Sequence, residues 1–82
     1  MAGGPDLRSW ILGVARDLVD HADAVSVQQF EEDGILVFEL TVDPDELGRV
    51  IGRQGRTVQA MRSLLTAAGE RHGRDYELEI VE

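Results

Sequence analysis

The sequence predicts an α+β domain in which three helices cover one face of a three-stranded mixed sheet. Apolar residues recur at helical spacing in residues 7–19 and 58–68. Apolar and polar residues alternate in residues 35–42 and 76–81, as in strands with one buried face. The predicted order is helix, strand, strand, helix, helix, strand.

Length and composition indicate a small intracellular domain. The chain has 82 residues, 43% of them hydrophobic, and no cysteine, which excludes disulfides and thiolate chemistry. We expect residues 6–82 to form a single domain and residues 1–5 a flexible N-terminal tail. No apolar run approaches the roughly 20 residues that a membrane span needs. The start of the chain does not resemble a secretory signal, so the expected location is the cytoplasm.

The first helix is expected to begin at Asp6 as its N-cap, directly after Pro5. It should end between His21 and Asp23. A short strand marked by Val25, Val27 and Phe30 follows.

The second strand is the more strongly patterned of the first two. Its buried face is expected to comprise Leu36, Phe38, Leu40 and Val42, and its opposite face to be polar and solvated. The Asp-Gly pair at residues 33 and 34 is typical of a hairpin turn, so the two strands should pair antiparallel.

The second half of the chain predicts two helices and a last strand. Asp43 and Pro44 are typical of a helix start, and Gly52 interrupts this helix after a few residues. A longer helix follows Gly55, and Gly69 is the expected C-terminal cap. Because a long helical crossover connects the second and third strands, they should be parallel neighbours.

Charge is distributed unevenly along the chain. Sixteen acids and eight arginines give a net charge of −8, which disfavours non-specific binding to nucleic acid. Residues 47–68, however, contain four arginines and no acid. This segment carries +4, and the remaining sixty residues therefore carry −12. An acidic protein with one basic segment is expected to present one basic patch.

The glycines at 52 and 55 suggest a phosphate site within that patch. Glycine is costly within helical sequence, and two glycines three residues apart leave a backbone that a ligand can approach closely. The loop also leads into a helix N-terminus, where free N–H groups attract anions. Arg53 and Arg56 add positive charge. The alternative is a plain turn between two helices.

The run V-I-G-R-Q-G-R-T at residues 50–57, between two helices, resembles the loop of KH domains, which bind single-stranded nucleic acid. The element order resembles the type II KH arrangement, with the GxxG loop at residues 52–55. The resemblance spans residues 7–81 and is closest to the KhpA family of small bacterial RNA-binding proteins. That family implies a probable RNA chaperone or post-transcriptional regulator linked to cell-wall synthesis and cell shape. It also implies a homodimer or a larger KH-containing partner of the KhpB type.

The same resemblance implies which residues contact RNA. The expected RNA-binding residues are Gly52, Arg53, Gln54, Gly55, Arg49, Arg56, Val50, Ile51, Val58 and Arg62. Val50, Ile51, Val58 and Met61 supply either the apolar floor of the groove or the core beneath it. The acidic remainder of the chain should weaken binding, and Gln54 leaves only one positive charge between the two glycines.

Other classes of function receive less support. The alternative from a different class is a protein-interaction module in which an apolar strip from Ile51 to Met61 joins two copies and RNA contact is minor. His21 and His72 lack metal-ligand spacing, and the sequence predicts no catalytic set, metal or cofactor. The pattern does not distinguish RNA from single-stranded DNA, nor does it name the preferred bases.

Overall fold

The structure, a computed structural model, describes residues 6–82 and confirms the predicted order of elements. The helices and strands are α1 (Leu7–Leu18), β1 (Ser26–Glu32), β2 (Ile35–Thr41), α2 (Leu47–Ile51), α3 (Arg56–His72) and β3 (Asp75–Ile80). Short 3-10 turns occupy Ala22–Ala24, Pro44–Glu46 and Arg53–Gly55. The expected tail at residues 1–5, including Pro5, lies outside the described residues. Within the described part of the chain, no helix is both long and apolar enough to cross a membrane.

Helix α1 begins where the sequence predicts. The Asp6 carboxylate accepts hydrogen bonds from the backbone N–H of Ser9 at 3.1 Å and from its hydroxyl at 2.7 Å. These bonds, that of the hydroxyl foremost, hold the pKa of Asp6 below its ordinary 3.8. The helix ends at Leu18, before the predicted boundary, and a 3-10 turn fills the interval.

The sheet has the order β1-β2-β3. Strands β1 and β2 pair antiparallel, and Glu32 faces Ile35 across a two-residue turn. Asp33 and Gly34 in that turn both have positive φ, 53° and 81°, as in hairpin turns that match strand twist. Strands β2 and β3 pair parallel, with Phe38 opposite Leu78, which confirms the predicted crossover.

The core lies between the sheet and the helices on one side of it. Helix α1 packs on β1 and β2, α3 packs on β3, and α2 packs against α3. The largest fully buried side chains include Ile11 of α1, Phe38 and Leu40 of β2, and Leu65 of α3. An arginine lies across each free edge of the sheet. The Arg8 side chain donates to the Val27 carbonyl at 2.8 Å on β1, and the Arg62 side chain donates to the Leu78 carbonyl at 3.2 Å on β3.

The C-terminal end of α3 differs from the prediction. The helix continues past Gly69 to His72, and Gly73 is the left-handed cap, with φ 66°. Gly69 is buried inside the helix, because the chain returns directly over it. A Cβ at Gly69 would strike the Arg74 carbonyl, and the Arg74 N–H donates to the Gly69 carbonyl at 2.8 Å. This glycine therefore permits close approach of the chain rather than ending the helix.

Two apolar residues of the helical patterns at residues 7–19 and 58–68 lie toward the surface. Leu64 of α3 is 57% exposed, because the buried stripe of that helix passes through Val58, Met61 and Leu65. Trp10 of α1 is only partly buried and lies with Leu7, Leu64 and Leu65 around an apolar cavity of about 250 Å³.

The sheet face opposite the helices is acidic, as the polar pattern predicted, but it has a buried centre. Val37 lies on this face, paired with Phe30, and is only 2% exposed. Because alternate residues share a face, Phe30 points away from Val27 and does not join the core beneath the helices. The carboxylates of this face are those of Glu32, Glu39, Asp75, Glu77 and Glu79.

Candidate nucleic-acid interface

The loop at residues 52–55 depends on glycine at its first position. Gly52 has φ 81° and ψ 169°, a region that side-chain-bearing residues essentially avoid. A Cβ there would lie 2.8 Å from the Thr57 Cβ. The Gly52 N–H donates to the Gly48 carbonyl at 2.8 Å, and the Gly55 N–H donates to the Gly52 carbonyl at 3.0 Å. The backbone of the loop is thus packed tightly against the start of α3.

The two residues between the glycines are both exposed. Gln54 adopts a left-handed conformation, with φ 56° and ψ 27°, which is uncommon for a residue with a side chain. Its side-chain oxygen accepts a hydrogen bond from the Arg56 guanidinium at 3.3 Å. Gln54 therefore holds one arginine over the loop, while Arg53 extends into solvent beside it.

The loop leads directly into the N-terminus of α3, the longest helix of the described residues. Gly55, left-handed with φ 73°, is the N-cap of the 17-residue α3, and no side chain caps that end. The first N–H groups of α3 and the positive end of its dipole face the loop. Together with Arg53 and Arg56, they provide a site for one or more phosphates.

A groove with apolar and charged lining residues lies beside the loop. It encloses about 200 Å³ and is lined by Ile51, Val58, Arg62, Ile80 and Glu82. Ile80 was not among the residues expected to contact RNA. Alternation along the last strand could have indicated that Ile80 borders the groove. The buried face of an edge strand becomes accessible where the helices that cover it end.

Arg62 marks the far end of this groove. Its guanidinium donates to the Leu78 carbonyl from Nη2 at 3.2 Å and from Nε at 3.4 Å. The Leu78 carbonyl belongs to the free edge of β3, so Arg62 holds a positive charge over the strand edge. Arg62 therefore lines the groove, and its contact with RNA stays a prediction.

Two other predicted contacts have different surroundings. Val50 is fully buried, which places it in the core, the second of the two roles that the sequence allowed. Val58 is 5% exposed and contributes only its edge to the groove. Arg49 forms ion pairs with Asp20 at 3.1 Å and with Glu46 at 3.6 Å, which neutralise part of its charge within the protein.

Glu46 is a buried carboxylate directly before α2, and nothing in its local sequence distinguishes it from the other acids at this helix start. It is 6% exposed and accepts hydrogen bonds from the backbone N–H groups of Asp20 at 2.6 Å and His21 at 3.0 Å. Burial opposes its ionisation, but these bonds and the His21 ring outweigh burial and hold the pKa of Glu46 below 4.5. Glu46 therefore ties the end of α1 to the start of α2.

His21 is less isolated than its sequence neighbours suggested. Its Nδ1 lies 3.1 Å from Glu46 Oε1 and 3.4 Å from Asp43 Oδ2. The hydrogen bond to Glu46, and then its negative charge, raise the pKa of His21 above 6.5. The three side chains could group around a cation. The Glu46 oxygens, however, are already engaged by backbone N–H groups and by Arg49, so we assign the cluster a structural role.

Charge separates the two sides of the domain. On the open sheet face, a hydrogen bond to Glu77 is the largest cause that raises the pKa of Glu79 above 4.5. Burial and the charges of Glu77, Glu39 and Glu32 act in the same direction. The acidic sheet face repels polyanions, so a nucleic acid is disfavoured on that face.

The element order, the mixed sheet and the GxxG loop between α2 and α3 define a type II KH fold. Comparison with known proteins agrees. A family model described as KhpA/KhpB, KH domain, matches residues 8–80. The chain therefore belongs to the KhpA/KhpB family of KH domains.

Several relatives are similar over most of their length. A protein of Aquifex aeolicus named RNA-binding protein KhpA is 50% identical over 68 residues, covering 83% of this chain and 86% of the relative. Proteins of the same name from Halalkalibacterium halodurans and Listeria monocytogenes are each 40% identical. They cover 93% and 88% of this chain, and 100% and 95% of their own lengths, respectively.

Proposed function

We propose that this protein binds single-stranded RNA through the loop at residues 52–55 and the adjoining groove. The observation that carries this proposal is that the two are adjacent: the uncapped N-terminus of α3, with Arg53 and Arg56, lies beside a groove whose lining includes Ile51, Val58 and Ile80. Phosphates fit the first and bases fit the second. The names of the relatives, all RNA-binding proteins, support the choice of RNA.

The geometry favours a single strand over a duplex. The apolar surface of Ile51 and Ile80 can contact a base only when that base is unpaired and turned toward the protein. Few cations take part, and the rest of the protein is acidic. Binding should therefore be modest in affinity and should weaken steeply as salt rises.

A finer proposal is that the protein acts as an RNA chaperone or post-transcriptional regulator together with a larger KH-containing partner of the KhpB type. A single family model covering both KhpA and KhpB domains supports this. A link to cell-wall synthesis and cell shape, and a cytoplasmic location, stay predictions from the resemblance and the sequence.

Fluorescence anisotropy with a labelled single-stranded RNA tests the proposal. The variant Arg53→Asp, Gln54→Asp places two carboxylates in the loop and changes the net charge by −3. A matched control, Arg16→Asp, Gln28→Asp, makes the same charge change at exposed positions on α1 and β1. Circular dichroism confirms that each variant is folded.

We expect wild type and the control variant to bind RNA, with affinities that fall together as salt rises. The loop variant should lose binding. Equal losses in the loop variant and the control would show that only net charge matters. No binding by folded wild type would contradict the proposal.

A second candidate function, self-association, is supported by a different surface from the one that the sequence suggested. Met61 is 3% exposed, so the strip from Ile51 to Met61 is mostly core. An exposed apolar surface is found instead around the cavity that Leu7, Trp10 and Leu64 line between α1 and α3. Surfaces of this kind favour protein contacts.

Analytical ultracentrifugation of wild type and Leu64→Glu tests this pairing. If the surface joins two copies, wild type sediments as a dimer and the variant as a monomer with unchanged circular dichroism. A monomeric wild type at high protein concentration would contradict it.

A further inference from the structure

Arg49 is placed to serve both the protein and a bound nucleic acid. It lies in α2 shortly before Gly52, and its side chain is 53% exposed. The Gly52 N–H donates to the Gly48 carbonyl, so the turn of α2 that carries Arg49 leads directly into the loop. The same side chain forms ion pairs with Asp20 and Glu46. These two carboxylates therefore compete with a phosphate for the Arg49 guanidinium.

The two ion pairs of Arg49 differ in their exposure to water. The Asp20 side chain is 74% exposed, so water screens its attraction for Arg49. The Glu46 side chain is only 7% exposed, and its Oε2 lies 3.6 Å from Arg49 Nη1. A buried charge is screened less and acts over a longer distance. The charge on Glu46 therefore largely determines how firmly Arg49 is held.

His21 binds the same carboxylate through its other oxygen. The His21 Nδ1 lies 3.1 Å from Glu46 Oε1, whereas Arg49 and the Asp20 N–H contact Oε2. Asp43 Oδ2 lies 3.4 Å from the same ring nitrogen. The hydrogen bond to Glu46, and then the charges of Glu46, Asp43 and Asp20, raise the pKa of His21 above 6.5. The ring is 63% exposed, so it exchanges its proton freely with water.

The charge of this cluster changes when His21 titrates. The carboxylates of Asp20, Asp43 and Glu46 carry −3. With a neutral ring, Arg49 brings the net charge of the five side chains to −2, and with a protonated ring the net charge is −1. The protonated ring also repels the guanidinium. Arg49 is therefore held less firmly at low pH than at high pH.

We propose that protonation of His21 releases Arg49 from its carboxylate partners to a phosphate of the bound RNA, so that the cluster adjusts the affinity of the loop to pH. When the ring is neutral, Arg49 stays on the carboxylates and RNA is held by Arg53 and Arg56. When the ring is charged, Arg49 adds a third cation. His21 acts through Glu46 and is a positioning residue. This inference rests on the proposed RNA binding at the loop.

The test measures the affinity for a rhodamine-labelled oligouridylate by fluorescence anisotropy at pH 5.5 and pH 8. The variants His21→Gln and His72→Gln are matched, because each removes one of the two histidines of the chain from an exposed position and keeps the other. His72 lies in the last turn of α3, at the end of the helix away from the loop. Circular dichroism at both pH values confirms that each variant is folded.

As pH falls from 8 to 5.5, His72→Gln should gain about 2- to 5-fold more affinity than His21→Gln, the scale of one exposed ion pair. A gain that comes from the general charge of the protein is common to both variants. Equal gains would overturn the pH switch and leave binding at the loop intact. No binding of RNA by folded wild type at either pH would overturn the proposed function itself.

Arg49→Gln shows whether the effect passes through the Arg49 side chain. This variant should bind RNA less tightly than wild type at pH 5.5, and by a smaller margin at pH 8. Adding His21→Gln to Arg49→Gln should not change the pH dependence any further, because the two side chains act through one pathway. If His21→Gln lowered the pH dependence equally with and without Arg49, the proposed release of Arg49 would be overturned.

A second measurement follows the His21 ring itself. Protonation and RNA binding are linked, so an RNA that prefers the protonated protein must raise the pKa of His21. NMR of the imidazole resonances measures this pKa in free protein and in protein saturated with the oligouridylate. We expect a larger rise in wild type than in Arg49→Gln, because RNA draws Arg49 away from Glu46. An equal rise in both proteins, or none in either, would overturn the proposal.

Discussion

The buried Glu46 carboxylate accepts a hydrogen bond from the backbone N–H of His21 at 3.0 Å and lies 3.1 Å from the His21 ring nitrogen. One side chain thus fixes both the backbone that follows α1 and a titratable ring. The contact joins segments 25 residues apart and holds α2, which leads into the loop, against the end of α1.

This arrangement predicts a specific pH dependence of stability. The pKa of Glu46 is lowered, so its contribution is present above pH 4.5 and is lost as pH falls through the lowered value. The pKa of His21 is raised, so its contribution is fully present below pH 6.5 and is lost as pH rises through the raised value. The cluster stabilises most between these limits.

Replacing Glu46 with glutamine should therefore lower the melting temperature most between about pH 4.5 and 6.5. At higher pH the melting temperature should fall by less. The glutamine side chain would also place an N–H donor against one of the two backbone N–H groups, those of Asp20 and His21, that donate to Glu46. Calorimetry across pH 3 to 9 measures the difference. His21→Gln should remove only that part of the stabilisation that wild type loses as pH rises. A difference between wild type and Glu46→Gln that does not vary with pH would contradict this account.

The opposite effect of a glutamine substitution on stability is predicted for Glu79 on the acidic sheet face. Its pKa is raised, so its favourable contribution exists only below pH 4.5 and is lost as pH rises through the raised value. Glu79→Gln should then raise the melting temperature at pH 7 and have little effect near pH 3. Glu70→Gln, which removes one charge from α3, is the control. Equal shifts for both variants would show that net charge, rather than the cluster, determines the effect.

The glycines around the loop should differ in their tolerance of alanine. Gly52→Ala should be the most destabilising, because it combines a backbone conformation that costs on the order of 1–3 kcal/mol with a collision at Thr57. Gly55→Ala should cost about 1–2 kcal/mol, since only its positive φ opposes a side chain. Gly48→Ala should stabilise by about 0.5–1 kcal/mol, because its surroundings are open and its position is helical. Urea denaturation measures all three, and a different order would contradict the loop geometry.

Gly69→Ala tests the close approach at the end of α3. Alanine is normally favoured over glycine inside a helix by about 1 kcal/mol. Here its Cβ would meet the Arg74 carbonyl, so we expect the free energy of unfolding to fall instead. Ala60, exposed on the same helix, supplies the reference through Ala60→Gly, which should cost about 1 kcal/mol. A stabilised Gly69→Ala protein would contradict the packing at this position.

The sequence predicted those features that depend on neighbouring residues. The Asp33-Gly34 turn, the Asp6 cap and the glycines at 52 and 55 each express a local backbone requirement. The alternation in β2 and the length of the crossover predicted the sheet, because side-chain direction and connection length leave few topologies.

The features that the sequence missed depend on contacts between distant segments. Glu46 resembled any acid at a helix start until α1 was seen to end beside it. Gly69 resembled a helix cap because the return of Arg74 over it cannot be deduced from spacing. Leu64 fitted the helical pattern, yet it points about 100° away from its neighbour Leu65, and only Leu65 faces the core in this fold.

The most direct test of the central claim is a map of amide chemical shifts in isotopically labelled protein titrated with a single-stranded RNA. We expect the largest changes at residues 52–58, with changes at Ile51, Arg62 and Ile80 along the groove. The amides of Glu39 and Glu77 on the acidic sheet should remain unchanged. Changes confined to the sheet face, or to the Leu64 surface, would contradict the assignment of RNA binding to the loop.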